Sequence, residues 1–149
     1  MSPENQTLRE ALKEYYQLNP HTYQVETMDD HSKRNFTAHD IAHVVFGCDT
    51  SIRGENKLGA WCLFGTNLGY WGYSFGFQRA PEARKAFYKT VFSLGLINSA
   101  TIYLKSLPTQ FQVWKRTRKM KKKWPFYEYH EYLDKTLFQI RQEFLISTL

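Results

Sequence analysis

The stretch "WPFYEYHEYLDKTLFQIRQEFLI", Trp124–Ile146, carries the clearest periodicity in the chain. Phe126, Tyr129, Leu133, Leu137, Ile140 and Phe144 recur in steps of three and four. Such steps place one apolar stripe along a helix and none along a strand. No strand-period alternation of comparable length competes with it. Working outward, every other apolar run also reads as helix. Ser2 can cap a helix with Pro3 at its first position, with Leu8, Leu12 and Tyr15 on one face and Pro20 at its end. Residues 21–35 read as polar and turn-like. Thr37 starts a short helix that Gly47 stops. A third helix is expected from near Glu55 to about Phe77, and a fourth from Pro81 to about Ser106. Thr109, after Pro108, then caps a basic fifth helix, and the Trp124 stretch supplies the sixth. The expected fold is all-α, a single domain of about six helices in orthogonal or bundle packing, with no internal repeat and no long linker.

At 149 residues the chain is long enough to bury about two thirds of its unfolded surface. Its net charge of +6 is local, because "KRTRKMKKK", Lys115–Lys123, holds seven of the basic residues and leaves about −1 for the rest. One basic block suggests one anionic surface. Its cations are Lys115, Arg116, Arg118, Lys119, Lys121, Lys122 and Lys123, and aromatics flank it: Phe111 and Trp114 before, Trp124 and Phe126 after. That order suits an anionic membrane surface with rings at headgroup level. No reading helix or RNA-binding motif accompanies it, so nucleic acid is not the expected partner. Cys48 and Cys62 have no paired metal spacing and suit a reducing compartment. The N-terminal stretch has neither the apolar core of a signal peptide nor the basic character of a transit peptide.

The candidate site lies in "TAHDIAHVVFGCDTSIRGE", Thr37–Glu55. At 100° per residue, His39 and His43 stand about 40° apart on one helix face. Asp40 falls at the edge of that face, and the loop after Gly47 can deliver Glu55 to it. Two imidazoles and up to two carboxylates suit a divalent metal, zinc first, with manganese or iron as alternatives. The same residues have a plainer reading, in which Thr37 and Asp40 form a capping box. Asp40 can also orient a ligand or move a proton. A zinc peptidase would carry Glu, not Asp, after the first histidine. A phosphohydrolase of the His-Asp type would need further ligands that His21, His31 and Asp134 fill only loosely.

A second feature is the uncharged run "LGAWCLFGTNLGYWGYSFGF", residues 58–77. Glycines and polar residues dilute it, so a buried or lipid-facing helix is expected and not a span. On one continuous helix Gly65, Gly69, Gly72 and Gly76 would form a bare stripe about 60° wide. Such a stripe serves close helix packing. It can also floor an isoprenoid groove walled by Trp61, Phe64, Trp71 and Phe75, with Tyr70 or Tyr73.

His39-Asp40-x-x-His43, eleven residues and then Glu55 resembles the signature of the coenzyme Q biosynthesis protein four family, as do the placement of Gly47 and the Gly54-Glu55 pair. The Trp-led C-terminal helix with Arg141 is similar to that family's ending. The resemblance covers about residues 36–79 and 110–146, and the chain is short for the family. It implies an all-helical fold and a metal, usually zinc, at His39, Asp40, His43 and Glu55. It implies a part in making ubiquinone, either the oxidative removal of the carboxyl from ring carbon one of a polyprenylated hydroxybenzoate or organising the other biosynthetic enzymes around the lipid. Asp40 and Glu55 would then be the proton-moving groups. Expected partners are the prenylated precursor, an anionic membrane, other quinone-biosynthesis proteins and a second copy of the chain. The expected location is cytoplasmic, peripheral on the inner face of a bacterial-type cell membrane.

Overall fold

The computed structural model describes residues 3–20, 29–79 and 81–148. Side chains at 3, 74, 76–79, 82–83 and 86–87 fall outside that description, as do Ser2 and residues 21–28. Seven α-helices form among the described residues: α1 Leu8–Leu18, α2 Asp30–Phe46, α3 Ile52–Gly65, α4 Gly69–Arg79, α5 Pro81–Leu94, α6 Leu96–Thr117 and α7 Leu137–Phe144. Two 3-10 turns, Pro3–Asn5 and Tyr129–Tyr132, complete the helical content. No strand forms among these residues, and the fold is all-α as expected. No helix among them is long and apolar enough to cross a membrane.

The predicted stripe is the frame of the core. Phe126, Tyr129, Leu137, Ile140 and Phe144 are all buried, with Leu133 packed against them. The stripe is broken into a 3-10 turn and α7 because Thr136 opens a new helix with a capping box to Gln139. Trp124 packs edge-on against Phe144 at 5.2 Å. Arg141 reaches from α7 to α2, donating from Nε to the Val45 carbonyl and from Nη2 to the Val44 carbonyl, each at 3.1 Å. A cation on the last carbonyls of α2 satisfies orphan acceptors and favours the helix dipole. Gly47 then ends α2 in the left-handed region, φ 61°, as its position predicted.

Several expected boundaries are corrected. The first helix starts at Leu8, where Thr7 and Glu10 form a capping box. Thr37 does not start α2. Asp29 does, accepting from the His31 and Ser32 amides, while the Thr37 hydroxyl bonds back to the Lys33 carbonyl in mid-helix. The Thr37–Asp40 capping box is therefore absent. The expected third helix is two helices. Thr66 leaves α3 in extended geometry, and Trp124 pairs with the gap through Trp124 N–H to Gly65 O and Asn67 N–H to Trp124 O. Gly65 thus ends α3 and Gly69 opens α4, so the four glycines share no single stripe. Pro108 lies inside α6, and the break comes earlier at Gly95, φ 79°. Packing of α6 on α3, the most extensive helix pair, overrides the local cost of proline. The basic fifth helix is absent. Lys115 and Arg116 finish α6, and Arg118–Lys123 form the turn that follows.

Candidate metal centre

Two capped segments meet at the site. α2 carries His39, Asp40 and His43, with His43 in its last turn. The Asp49 carboxylate then accepts from the Ser51 amide at 2.8 Å, and Ser51 accepts from the Gly54 amide at 3.1 Å. Those two bonds open α3 with Glu55 in its first turn. One ligand atom from each of His39, His43 and Glu55 lies within 4.8 Å of the others. Glu55 Oε1 is 3.1 Å from His43 Nε2, and Oε2 is 3.4 Å from His39 Nε2.

The tautomer of His43 gives the site its chemistry. His43 is buried, and its Nδ1 lies 3.1 Å from the Cys48 carbonyl. A carbonyl only accepts, so Nδ1 carries a proton, and when the ring is neutral Nε2 keeps its lone pair on the side of Glu55. That buried Nε2 makes no well-directed hydrogen bond. A lone pair facing a carboxylate calls for a proton or a cation between them. Two imidazoles and one carboxylate are a donor set that zinc, manganese or iron accepts. The residues present therefore fit a divalent metal.

Asp40 stands apart from this trio. It is buried, with Oδ1 3.8 Å from His39 Nδ1, on the far side of the ring from Glu55. It orients His39 and does not share the three-ligand cluster. Burial opposes charge on His39, but the neighbouring Asp40 and Glu55 carboxylates outweigh it and raise its pKa to about 9. Burial likewise works against the Glu55 carboxylate, yet the two histidines hold it down at about 2. Tyr15, read in the sequence only as an apolar position on the first helix, is a further member. Its ring stacks on His43 at 5.6 Å. Burial first, then the Asp40 and Glu55 charges, keep its hydroxyl protonated far above neutral pH. No local pattern marks Tyr15, because α1 meets α2 only through tertiary packing. Burial also pushes the Cys48 thiol up to about 12 and Cys62 higher still, so neither offers a ready thiolate.

No family model matches the chain, and neither does any curated protein or solved structure.

The other predicted positions are scattered. Trp61 is fully buried and stacks on Phe46 at 4.6 Å, so it belongs to the core and walls no groove. A side chain at Gly65 would press on Trp61 at 3.0 Å and on Thr117 at 3.4 Å, which makes Gly65 part of the α3–α6 seam. Gly72 faces its own neighbour Leu68, and Gly69 faces open space. Gly76 lies in α4. Phe64 is half-buried, while Trp71 is 69% exposed. Of the basic block, Arg116 binds the Ser147 and Thr148 carbonyls, Lys122 pairs with Glu143, and Lys123 binds the Phe64 carbonyl. Lys115, Arg118, Lys119 and Lys121 remain exposed.

Proton linkage tests the centre directly. Metal-free His39 holds its proton up to about pH 9, and a metal must displace it. Between pH 7 and 9 the apparent affinity should rise about tenfold per pH unit, with about one proton released per ion. Calorimetric titration with zinc in two buffers of different ionisation enthalpy measures that proton. Metal-free stability has the opposite slope. The raised His39 pKa contributes fully below 6.5 and is lost as pH rises through about 9. The depressed Glu55 pKa contributes above 4.5 and is lost as pH falls through about 2. No proton release together with a flat affinity profile would exclude His39 as a ligand.

Proposed function

We propose that this chain is a metal-dependent protein of ubiquinone biosynthesis, acting on a prenylated hydroxybenzoate at an anionic membrane surface. The observation that carries the reading is the convergence of His39, His43 and Glu55, with His43 Nδ1 on the Cys48 carbonyl and Nε2 facing Glu55. The eleven-residue spacing to Glu55, in which the sequence resembles the coenzyme Q biosynthesis protein four family, supplies the substrate class. His39, His43 and Glu55 hold the metal, zinc in this proposal. When bound, the metal supplies a positive charge that stabilises negative charge on the substrate as carbon dioxide leaves ring carbon one. Asp40 keeps His39 in place. Its Oδ2 and the Tyr15 hydroxyl are both buried without a well-directed hydrogen bond, and this proposal takes them as the source of the proton that replaces carbon dioxide on the ring.

The surface supports the lipid half of the reading. α4, α5 and α6 carry exposed large apolar side chains, among them Trp71, Phe75, Phe92, Ile97, Leu104 and Phe111. Exposed apolar surface on this scale marks an interaction site. Lys115 and Arg118 lie over the Phe111 and Trp114 rings at the end of α6. This juxtaposition suits the inner face of a bacterial-type membrane, with rings at the headgroups and cations on the lipid charge. Each such cation contributes on the order of 1 kcal/mol at an anionic surface. Vesicles containing phosphatidylserine should bind the protein, and binding should fall steeply with salt. Lys119→Glu with Lys121→Glu should weaken it at least tenfold. Equal binding to neutral and acidic vesicles would refute the membrane assignment.

The same apolar surface also favours a second reading, in which the protein presents the lipid to other quinone-biosynthesis enzymes. One assay separates the two. Zinc-loaded protein is mixed with a prenylated hydroxybenzoate carrying a labelled carboxyl, and released carbon dioxide is counted with and without dioxygen. Release that Glu55→Ala abolishes supports the enzyme. Tight retention of the lipid without release supports the scaffold. Absence of both retention and release would refute the quinone assignment.

A further inference from the structure

A second charged site lies on the other face of α3. Arg53, Gly54 and Lys57 from α3, Lys105, Ser106 and Thr109 from α6, and Asp49 from the loop before α3 line a cavity of about 280 Å³. Each helix contributes positions i, i+1 and i+4, the spacing of one helix face. At 100° per residue Arg53 and Lys57 lie about 160° around α3 from Glu55, so this cavity and the metal centre are on opposite sides of the helix.

Its lining is made for an anion. Arg53, Lys57 and Lys105 bring three positive charges against the single negative charge of Asp49. Hydrogen bonds from Ser51 hold Asp49 ionised, and its Oδ1 is already engaged by the Ser51 amide. Lys57 spends one of its three donors on the Gly47 carbonyl at 3.0 Å. Among the described residues, Arg53 and Lys105 have no ion-pair or hydrogen-bond partner, and the Thr109 hydroxyl has no hydrogen-bond partner either. The Ser106 hydroxyl donates to the Tyr103 carbonyl and accepts from Gln110, which fixes the wall of the cavity on the α6 side. Three cations around one space repel one another unless an anion neutralises them. The unused donors, a guanidinium fork and two ammonium groups, match the geometry of phosphate oxygens.

We propose that this cavity is a phosphate-binding site, independent of the metal centre, that takes a phosphate or diphosphate group. The volume exceeds that of one phosphate and leaves room for a second phosphoryl group or a small attached moiety.

The test uses the full chain at low ionic strength, with inorganic phosphate and then pyrophosphate as probes. Calorimetric titration should show one saturable site, tighter for pyrophosphate. Amide chemical shifts of Gly54, Ser106 and Thr109 should move with it. Lys105→Ala should weaken pyrophosphate at least tenfold, and Arg53→Ala with Lys105→Ala should abolish binding. Both side chains are exposed and unpartnered, so melting temperature should hold; Lys105→Ala alone decides if the double variant does not fold. Lys119→Ala with Lys121→Ala, which lowers the net charge equally, should leave the affinity unchanged. Glu55→Ala should also bind pyrophosphate normally, so the site stands or falls apart from the metal reading. If soluble phosphates fail but phosphatidic acid vesicles, and not phosphatidylcholine, protect the Lys105 amine from acylation, the phosphate recognised is lipid-borne. Non-saturable binding, or equal loss in the Lys119/Lys121 control, with no protection by phosphatidic acid, would overturn the proposal.

Discussion

His43→Ala is expected to lower zinc affinity by at least a hundredfold and to remove the stabilisation that zinc gives. Changing a residue that only orients a metal ligand typically costs 10- to 100-fold, so removing a ligand should reach or exceed the top of that range. At a free metal concentration near a thousand times Kd, binding adds about 4 kcal/mol of stability. A chelator should therefore lower the melting temperature of the parent protein markedly and leave His43→Ala unmoved. The variant also has a cost of its own. His43 is buried, holds the Cys48 carbonyl at 3.1 Å and stacks on Tyr15, so its loss should cost about 2–3 kcal/mol without metal. Glu55→Ala separates the two effects. That side chain is 44% exposed and leaves no core cavity, so metal should be lost while metal-free stability falls only by what its pairing with the two histidines contributes, less than for His43→Ala. Asp40→Asn should fall between, binding zinc 10- to 100-fold more weakly, because the residue positions His39 and is not one of the three ligands. Stoichiometric zinc retained by both His43→Ala and Glu55→Ala would rule out the centre.

The residues of that centre were legible because they depend on local geometry. A four-residue step on a helix puts His39 and His43 on one face whatever the helix packs against. Gly47 and the loop before Glu55 carry turn chemistry that is equally local. The same holds for the Phe126–Phe144 stripe, whose apolar positions stayed buried although the helix broke at Thr136. What could not be read was set by distant partners. Trp124, some sixty positions on, inserts its backbone beside Gly65 and Asn67 and cuts an uncharged run into two helices. The glycine stripe existed only on the uncut helix. Pro108 continues α6 because α3 supports it, where sequence rules would end the helix. Tyr15 reaches His43 through the α1–α2 contact, which no spacing encodes. The start of α2 was missed for a different reason. Asp29 was a legitimate cap, but the polar run after it masked the helix, and Thr37 offered a competing signal.

Gly54→Ala should have the opposite sign from what helix propensity gives, and this ties the fold to the site. Alanine in a helix is normally favoured over glycine by about 1 kcal/mol. Gly59, in the same helix, follows that rule. A Cβ there would meet nothing nearer than the Tyr73 hydroxyl at 3.5 Å, so Gly59→Ala should stabilise by up to about 1 kcal/mol. At Gly54 a Cβ would run into the Asp49 carbonyl and carboxylate, with the carbonyl carbon only 2.7 Å away. That backbone cannot swing aside, because Asp49 is fixed by the Ser51 amide and Ser51 in turn caps Gly54. The loop and the first turn of α3 must separate, at about 3 kcal/mol. In a chain of this length that is a fall of roughly 10 °C in melting temperature. Glu55 is the next residue and moves with the turn. Metal–oxygen bonds of about 2 Å tolerate displacements of only a few tenths of an ångström, so zinc affinity should drop more than tenfold as well. Paired melting and zinc titration of the two alanine variants would measure both effects. If Gly54→Ala proves as stable as Gly59→Ala and keeps its zinc, the tight loop is not what aims Glu55 at the histidines. If it loses both stability and metal, the glycine before Glu55 is there because no larger residue lets the Asp49 loop sit close enough to α3 to close the site.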